Sequence, residues 1–150
     1  MAQYKTILFA TDFSEGAEKA VDHARTLAKL TGAKLNLFHV ITELSDKRRK
    51  RVPPDVIDTF IREVTRQAKE DMDNFCNAHF SGPDSEGIEI TKTIEVGIGF
   101  TAILEEAKRS QADLIVMGTH GRSGIEKVLV GSTAERVVRG AIIPVLTVRS

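Results

Sequence analysis

Short apolar runs alternate with segments of helical period along the whole chain, and that alternation leaves few architectures open. The runs are Thr6-Ile-Leu-Phe-Ala10, Leu35-Asn-Leu-Phe-His-Val-Ile41, Ile88 to Val96, Leu114-Ile-Val-Met117 and Val145 to Val148. A strand with one wet face alternates apolar with polar residues. Apart from Ile88 to Val96, where Glu, Thr and Lys interrupt the apolar residues, these runs are apolar almost throughout, which requires cover on both faces. Four helical segments supply the cover. In the first, Ala17, Ala20, Val21, Ala24, Leu27 and Ala28 recur at helical spacing, with Ser14 as the expected cap and Gly32 as the stop. The second opens at Pro53-Pro54-Asp55, and its stripe is Ile57, Phe60, Ile61, Val64, Ala68, Met72 and Phe75. The third carries Ile103, Leu104 and Ala107, and the fourth starts at Ser132 and ends near Arg139. The expected fold is α/β, one domain over residues 1–150, a doubly wound five-stranded parallel sheet with helices on both faces. In the strand order 3-2-1-4-5, strands one and four are neighbours at the switch point, where such sheets bind ligands beyond the carboxyl ends of the strands.

The chemistry concentrates after strand four. Gly118-Thr-His-Gly121-Arg-Ser-Gly-Ile-Glu-Lys-Val-Leu-Val-Gly131-Ser132-Thr133 joins a buried strand to a helix start through a glycine-punctuated loop. Glycines let backbone N–H groups approach a ligand, and a helix start offers unpaired N–H groups with a partial positive charge. Together they make an anion cradle suited to a phosphate chain. A Walker loop is excluded, because no Lys-Ser or Lys-Thr follows a glycine here. Ser132-Thr-Ala-Glu135 also reads as a capping box, which gives Ser132 a structural role as well.

Charge is balanced, with 21 basic and 21 acidic side chains, so no global field recruits nucleic acid or an anionic membrane. No apolar run approaches the length of a membrane span, and the first residues lead directly into a strand, leaving no room for a signal peptide. The single cysteine, Cys76, excludes an internal disulfide and suits a reducing compartment. A cytoplasmic location is expected.

The spacing Gly, two residues, Gly, nine residues, Gly, Ser resembles the nucleotide-binding signature of the universal stress protein (UspA-like) family. Gly118, Gly121, Gly131 and Ser132 fill its fixed positions. The likeness extends through Ile103-Leu-Glu-Glu-Ala107 and the closing Ile143-Pro-Val-Leu-Thr-Val148, almost the whole chain. It implies the ATP-binding subgroup, with ATP and Mg2+ as ligands. On that resemblance Thr11 and Asp12 at the end of strand one face the nucleotide, Asp12 serving ribose or the metal, and Val40 meets adenine or belongs to the core. Met117 beside Gly118 and Thr133 beside Ser132 join the contact set. Arg122 meets a terminal phosphate or faces water. Ala10 stands where the family commonly has proline or valine.

Other motifs lead to weaker chemistry. Gly97-Ile-Gly99-Phe-Thr-Ala102 satisfies the dinucleotide fingerprint, yet it follows the third strand, and the next strand ends in Met117 with no acid for a ribose. A tight strand-to-helix turn accounts for it. His79 lies three residues from Cys76, but two ligands do not make a zinc site. Lys47-Arg-Arg-Lys-Arg51 has no aromatic neighbours for base stacking and reads as a solvated loop near the ligand mouth. Pro144 suits the start of an edge strand, and pairing of Val145, Leu146 and Val148 with a second copy would cover that edge. The resemblance also implies a homodimer.

The expected function is an ATP-binding, nucleotide-responsive module in a stress response, with at most weak hydrolysis and no assigned catalytic residue. One alternative is a slow ATPase or phosphotransfer enzyme, for which only His120 is at hand. The other is a nucleotide-free protein-interaction domain.

Overall fold

Strand β1 (Thr6–Ala10) is the middle strand of the molecule, and everything else is laid out around it. The structure is a computed structural model that describes residues 1–42, 52–119 and 132–149. After β1 come a 3-10 turn (Glu15–Ala17), helix α1 (Glu18–Thr31), strand β2 (Lys34–Ile41) and helix α2 (Pro54–Phe80). A second 3-10 turn (Pro83–Ser85) leads to strand β3 (Ile90–Val96) and helix α3 (Gly99–Arg109). Strand β4 (Leu114–Gly118), helix α4 (Ser132–Gly140) and strand β5 (Val145–Val148) complete the described chain. All neighbouring strands pair parallel, in the order β3-β2-β1-β4-β5 expected from the sequence.

The two-sided apolar runs produce two cores. Successive side chains of a strand point to opposite faces. Ile7 and Phe9 meet Leu35, Leu37 and Val116 on the face covered by α1 and α2, while Leu8 and Ala10 meet Phe38, Ile115 and Met117 beneath α3 and α4. Gly32 ends α1 in the left-handed conformation (φ 72°), where a side chain would be strained. At the opposite end of the sheet from the helix starts, Asp113 Oδ2 accepts the Lys5 N–H at 2.7 Å and the Thr6 N–H at 3.0 Å, tying β1 to β4.

One polar network is built into the α3 face. Asn36, 2% exposed, donates from Nδ2 to Glu106 Oε1 at 3.1 Å and accepts from Thr93 Oγ1 at 3.1 Å. Arg109 closes the network from outside, reaching Glu106 Oε2 at 2.8 Å and Glu95 Oε1 at 3.1 Å.

Three expectations need correction. Strand three begins at Ile90, because the Ile88 N–H closes a turn onto the Ser85 carbonyl and not a ladder bond. Ser14 does not cap α1 with its side chain: α1 begins at Glu18, and the 3-10 turn before it is held by the Ser14 carbonyl, which accepts from the Ala17 N–H. The long stripe of α2 is only half used. Ala68, Met72 and Phe75 are buried, Ile57, Ile61 and Val64 are half-buried, and Phe60 is 47% exposed. With 27 residues α2 is roughly 40 Å long, against roughly 27 Å for the eight residues of β2 beneath it, so its first turns overhang the sheet.

Candidate functional site

The strand order reverses between β1 and β4, whose carboxyl ends lie in register with Ala10 opposite Met117. Both chains continue one residue past their strands on a ladder-like bond. The Thr11 N–H donates to the Phe38 carbonyl at 2.9 Å, and the Thr119 N–H donates to the Val148 carbonyl at 3.0 Å. Beyond Thr11 the β1 chain folds into a tight turn of its own. Thr11 Oγ1 accepts the Phe13 N–H, and Asp12 Oδ1 accepts the Ser14 N–H, each at 3.0 Å. Such side-chain acceptors two residues back are what Thr and Asp supply in turns. Phe13 itself holds φ 64°, which redirects the chain toward α1.

Two helix starts border the same end of the sheet. A methyl group on Gly99, the first residue of α3, would lie 3.5 Å from Thr133 Cγ2 near the start of α4. Further along, the Arg136 guanidinium covers the Phe100 ring at 5.2 Å, and Gly140 packs against Leu104. The helices therefore run side by side with their N-termini together, and the positive ends of two macrodipoles point at one mouth.

The expected site residues are distributed as follows. Thr11 is buried and Asp12 half-buried at the end of β1; Met117 is buried and Gly118 half-buried at the end of β4. Val40 is half-buried near the end of β2, packed on the cluster that contains Met117 and Phe38. Ser132 and Thr133 are exposed in the first turn of α4. All seven lie at the carboxyl edge. Gly121, Arg122, Gly131, His120 and the basic run Lys47 to Arg51 lie outside the described residues.

Metal chemistry has a narrow basis. Among the described residues there is no group of three His, Cys, Asp or Glu side chains placed to hold an ion. Asp12 offers one carboxylate, which suits Mg2+ bound mainly through phosphate oxygens and water, not an all-protein cage. Away from this edge, Cys76 is half-buried and burial pushes its thiol up, while the His79 ring packs against Phe75 in a tilted contact with centroids 4.6 Å apart. That pair belongs to packing.

Two features of the edge are not evident from motif spacing. Gly97 and Ile98 join β3 directly to α3, the Gly97 N–H still pairing across to the Ile41 carbonyl at 3.0 Å, and this short link brings Gly99 to the rim beside Thr133. His39, only 7% exposed, sits behind the β1 loop with Nδ1 2.8 Å from the Thr11 carbonyl oxygen. A buried histidine inside an apolar strand carries no sequence pattern that distinguishes a bracing role from core packing.

Comparison with known proteins agrees with this architecture. A universal stress protein of Methanocaldococcus jannaschii is 30% identical over 158 residues, covering 97% of this chain and 95% of that protein. Its solved structure superposes with a TM-score of 0.84 over 99% of this chain and 97% of the other, at 32% identity. Universal stress protein UspA from Lactobacillus plantarum matches at 26% identity and a TM-score of 0.81, over 99% of this chain and 100% of that one. A crystal structure of a universal stress protein in complex with cAMP is 28% identical, with a TM-score of 0.61 and 98% of each chain covered. Residues 3–149 match the Universal stress protein family, and the chain belongs to that family.

Proposed function

We propose that this chain binds ATP with Mg2+ and acts as a nucleotide-responsive regulatory module of the cytoplasm. The observation that carries the reading is the meeting of the β1 and β4 carboxyl ends with the start of α4 at the point where strand order reverses. In this reading Gly118, Gly121, Gly131, Ser132 and Thr133 hold the phosphates, with Arg122 at the terminal one. Asp12 serves ribose or Mg2+ beside Thr11, and Val40 and Met117 wall the adenine. The relative in complex with cAMP supports an adenine nucleotide as the ligand class. The protein works as a homodimer through Val145, Leu146 and Val148 of the edge strand β5.

The test is a calorimetric titration of ATP with Mg2+ into nucleotide-stripped protein, beside Gly121→Val. Saturable binding that the substitution abolishes is expected. Equal affinity in both proteins, or no binding by folded protein, refutes the site. Asp12→Ala separates its two roles: a loss larger with Mg2+ than without places the carboxylate on the metal, and equal losses place it on ribose. Phosphate release above the Gly121→Val control would identify a slow ATPase.

A further inference from the structure

We infer that His39 is a positioning residue that locks the Thr11–Ser14 turn from behind and thereby holds the Asp12 carboxylate toward the nucleotide. The inference rests on the nucleotide reading above for its ligand, but its geometry stands alone. The turn leaves the sheet at Thr11, and its bonds from Phe13 to Thr11 and from Ser14 to Asp12 are internal to it. Internal bonds shape a turn without fixing where it sits. Phe13 also holds a left-handed backbone (φ 64°), which a bulky residue keeps only where its surroundings over-determine it.

Two contacts from one imidazole supply that constraint. His39 Nδ1 is 2.8 Å from the Thr11 carbonyl oxygen. A carbonyl can only accept, so Nδ1 carries the proton and donates. The same ring stacks on Phe13, with centroids 4.3 Å apart and planes 30° from parallel, while Phe75 of α2 holds the other flank of Phe13 at 5.7 Å. The strand's alternation separates this brace from the ligand side. His39 works on the face of α1 and α2, and its neighbour Val40 packs on the opposite face, beneath α3 and α4. Changes at His39 therefore reach the mouth through the Thr11–Ser14 turn and leave the adenine wall in place.

The test compares His39→Asn, whose side-chain amide keeps an N–H donor near the Nδ1 position, with His39→Leu, which keeps bulk and loses the donor. In nucleotide-free protein, NMR-detected hydrogen exchange at the Phe13 and Ser14 amides should accelerate about tenfold in His39→Leu and return toward wild type in His39→Asn. ATP affinity should fall about tenfold in His39→Leu, with the same dependence on Mg2+ that Asp12→Ala shows, because the effect passes through Asp12. If wild-type protein binds no ATP, the nucleotide reading fails while the exchange experiment still decides the brace. Unchanged exchange in His39→Leu, or a His39→Asn protein as loose as His39→Leu, overturns the inference. Should His39→Leu not fold, His39→Phe keeps a ring against Phe13 and removes the Nδ1 donor. Faster Ser14 exchange in that variant supports the brace, and wild-type exchange overturns it.

Discussion

Replacing Asn36 by leucine should cost this protein about 2 kcal/mol, although leucine is the better residue for a buried strand. The substitution removes the donor to Glu106 Oε1 and the acceptor of the Thr93 hydroxyl. A hydrogen bond to a charged group contributes about 1.5–3 kcal/mol and a neutral one about 1 kcal/mol, which sets the loss near 3 kcal/mol. Better burial of the leucine side chain returns about 1 kcal/mol. Glu106 is 5% exposed, so water replaces the lost donor poorly. At roughly 2–4 °C per kcal/mol for a chain of this size, the midpoint should fall by about 4–8 °C. Urea unfolding followed by far-UV circular dichroism is the suitable assay, since the chain has no tryptophan and one tyrosine. The decisive comparison is the double variant Asn36→Leu with Glu106→Leu. It removes both members, so it should be more stable than the sum of the single losses predicts, with a coupling of about 1–2 kcal/mol. An unchanged midpoint at unchanged m-value in Asn36→Leu, or strict additivity in the double variant, would show that the network contributes no specific pairing energy.

Asp113→Ala should lower stability by about 2 kcal/mol in urea titrations, because two backbone N–H groups lose a charged acceptor, and Asp113→Asn by about half that, since a neutral oxygen remains; equal losses would contradict the charge-assisted account. Cys76 should react with iodoacetamide more slowly in the folded than in the denatured protein near neutral pH. Burial raises its pKa and depletes the thiolate, so the difference should narrow as pH rises above the folded value; matching rates at neutral pH would remove the burial argument. Leu146→Lys places a charge on the edge strand and should give monomers in sedimentation velocity, whereas a persisting dimer would move the interface off β5.

The apolar runs made the sheet legible because burial on both faces leaves short, nearly unbroken apolar segments bounded by turn residues. Leu114–Gly118 and Val145–Val148 needed only length and neighbours to be recognised. Boundaries set by local hydrogen bonds were less visible. Ser14 resembles a cap, yet Asp12 takes the Ser14 N–H and a 3-10 turn intervenes before α1, a competition among acceptors two residues apart that composition does not rank. Thr11, Asp12, Met117, Gly118, Ser132 and Thr133, expected from the glycine spacing and the family resemblance, lie at strand and helix ends of one edge of the sheet. His39 and Gly99 were not assigned, since each acts through a partner far away in sequence: Thr11 for the first, Thr133 for the second. Phe60 was misjudged for the opposite reason. Helical period reports which side of α2 is apolar but not how far the sheet beneath it extends.

That overhang divides a single helix into two thermodynamic regimes. The second half of α2 is anchored by Ala68, Met72, Phe75 and Phe80, so its amides should open only when the core does. Among the described contacts the leading turns have no fully buried side chain, and the ion pairs of Glu63, Arg66 and Glu70 just beyond them are exposed pairs of the kind worth a few tenths of a kcal/mol each. Fraying there can proceed without disturbing the sheet. Amide exchange should therefore climb in a gradient from Gln67 back toward Pro54, with a break where the helix first meets the core at Ala68.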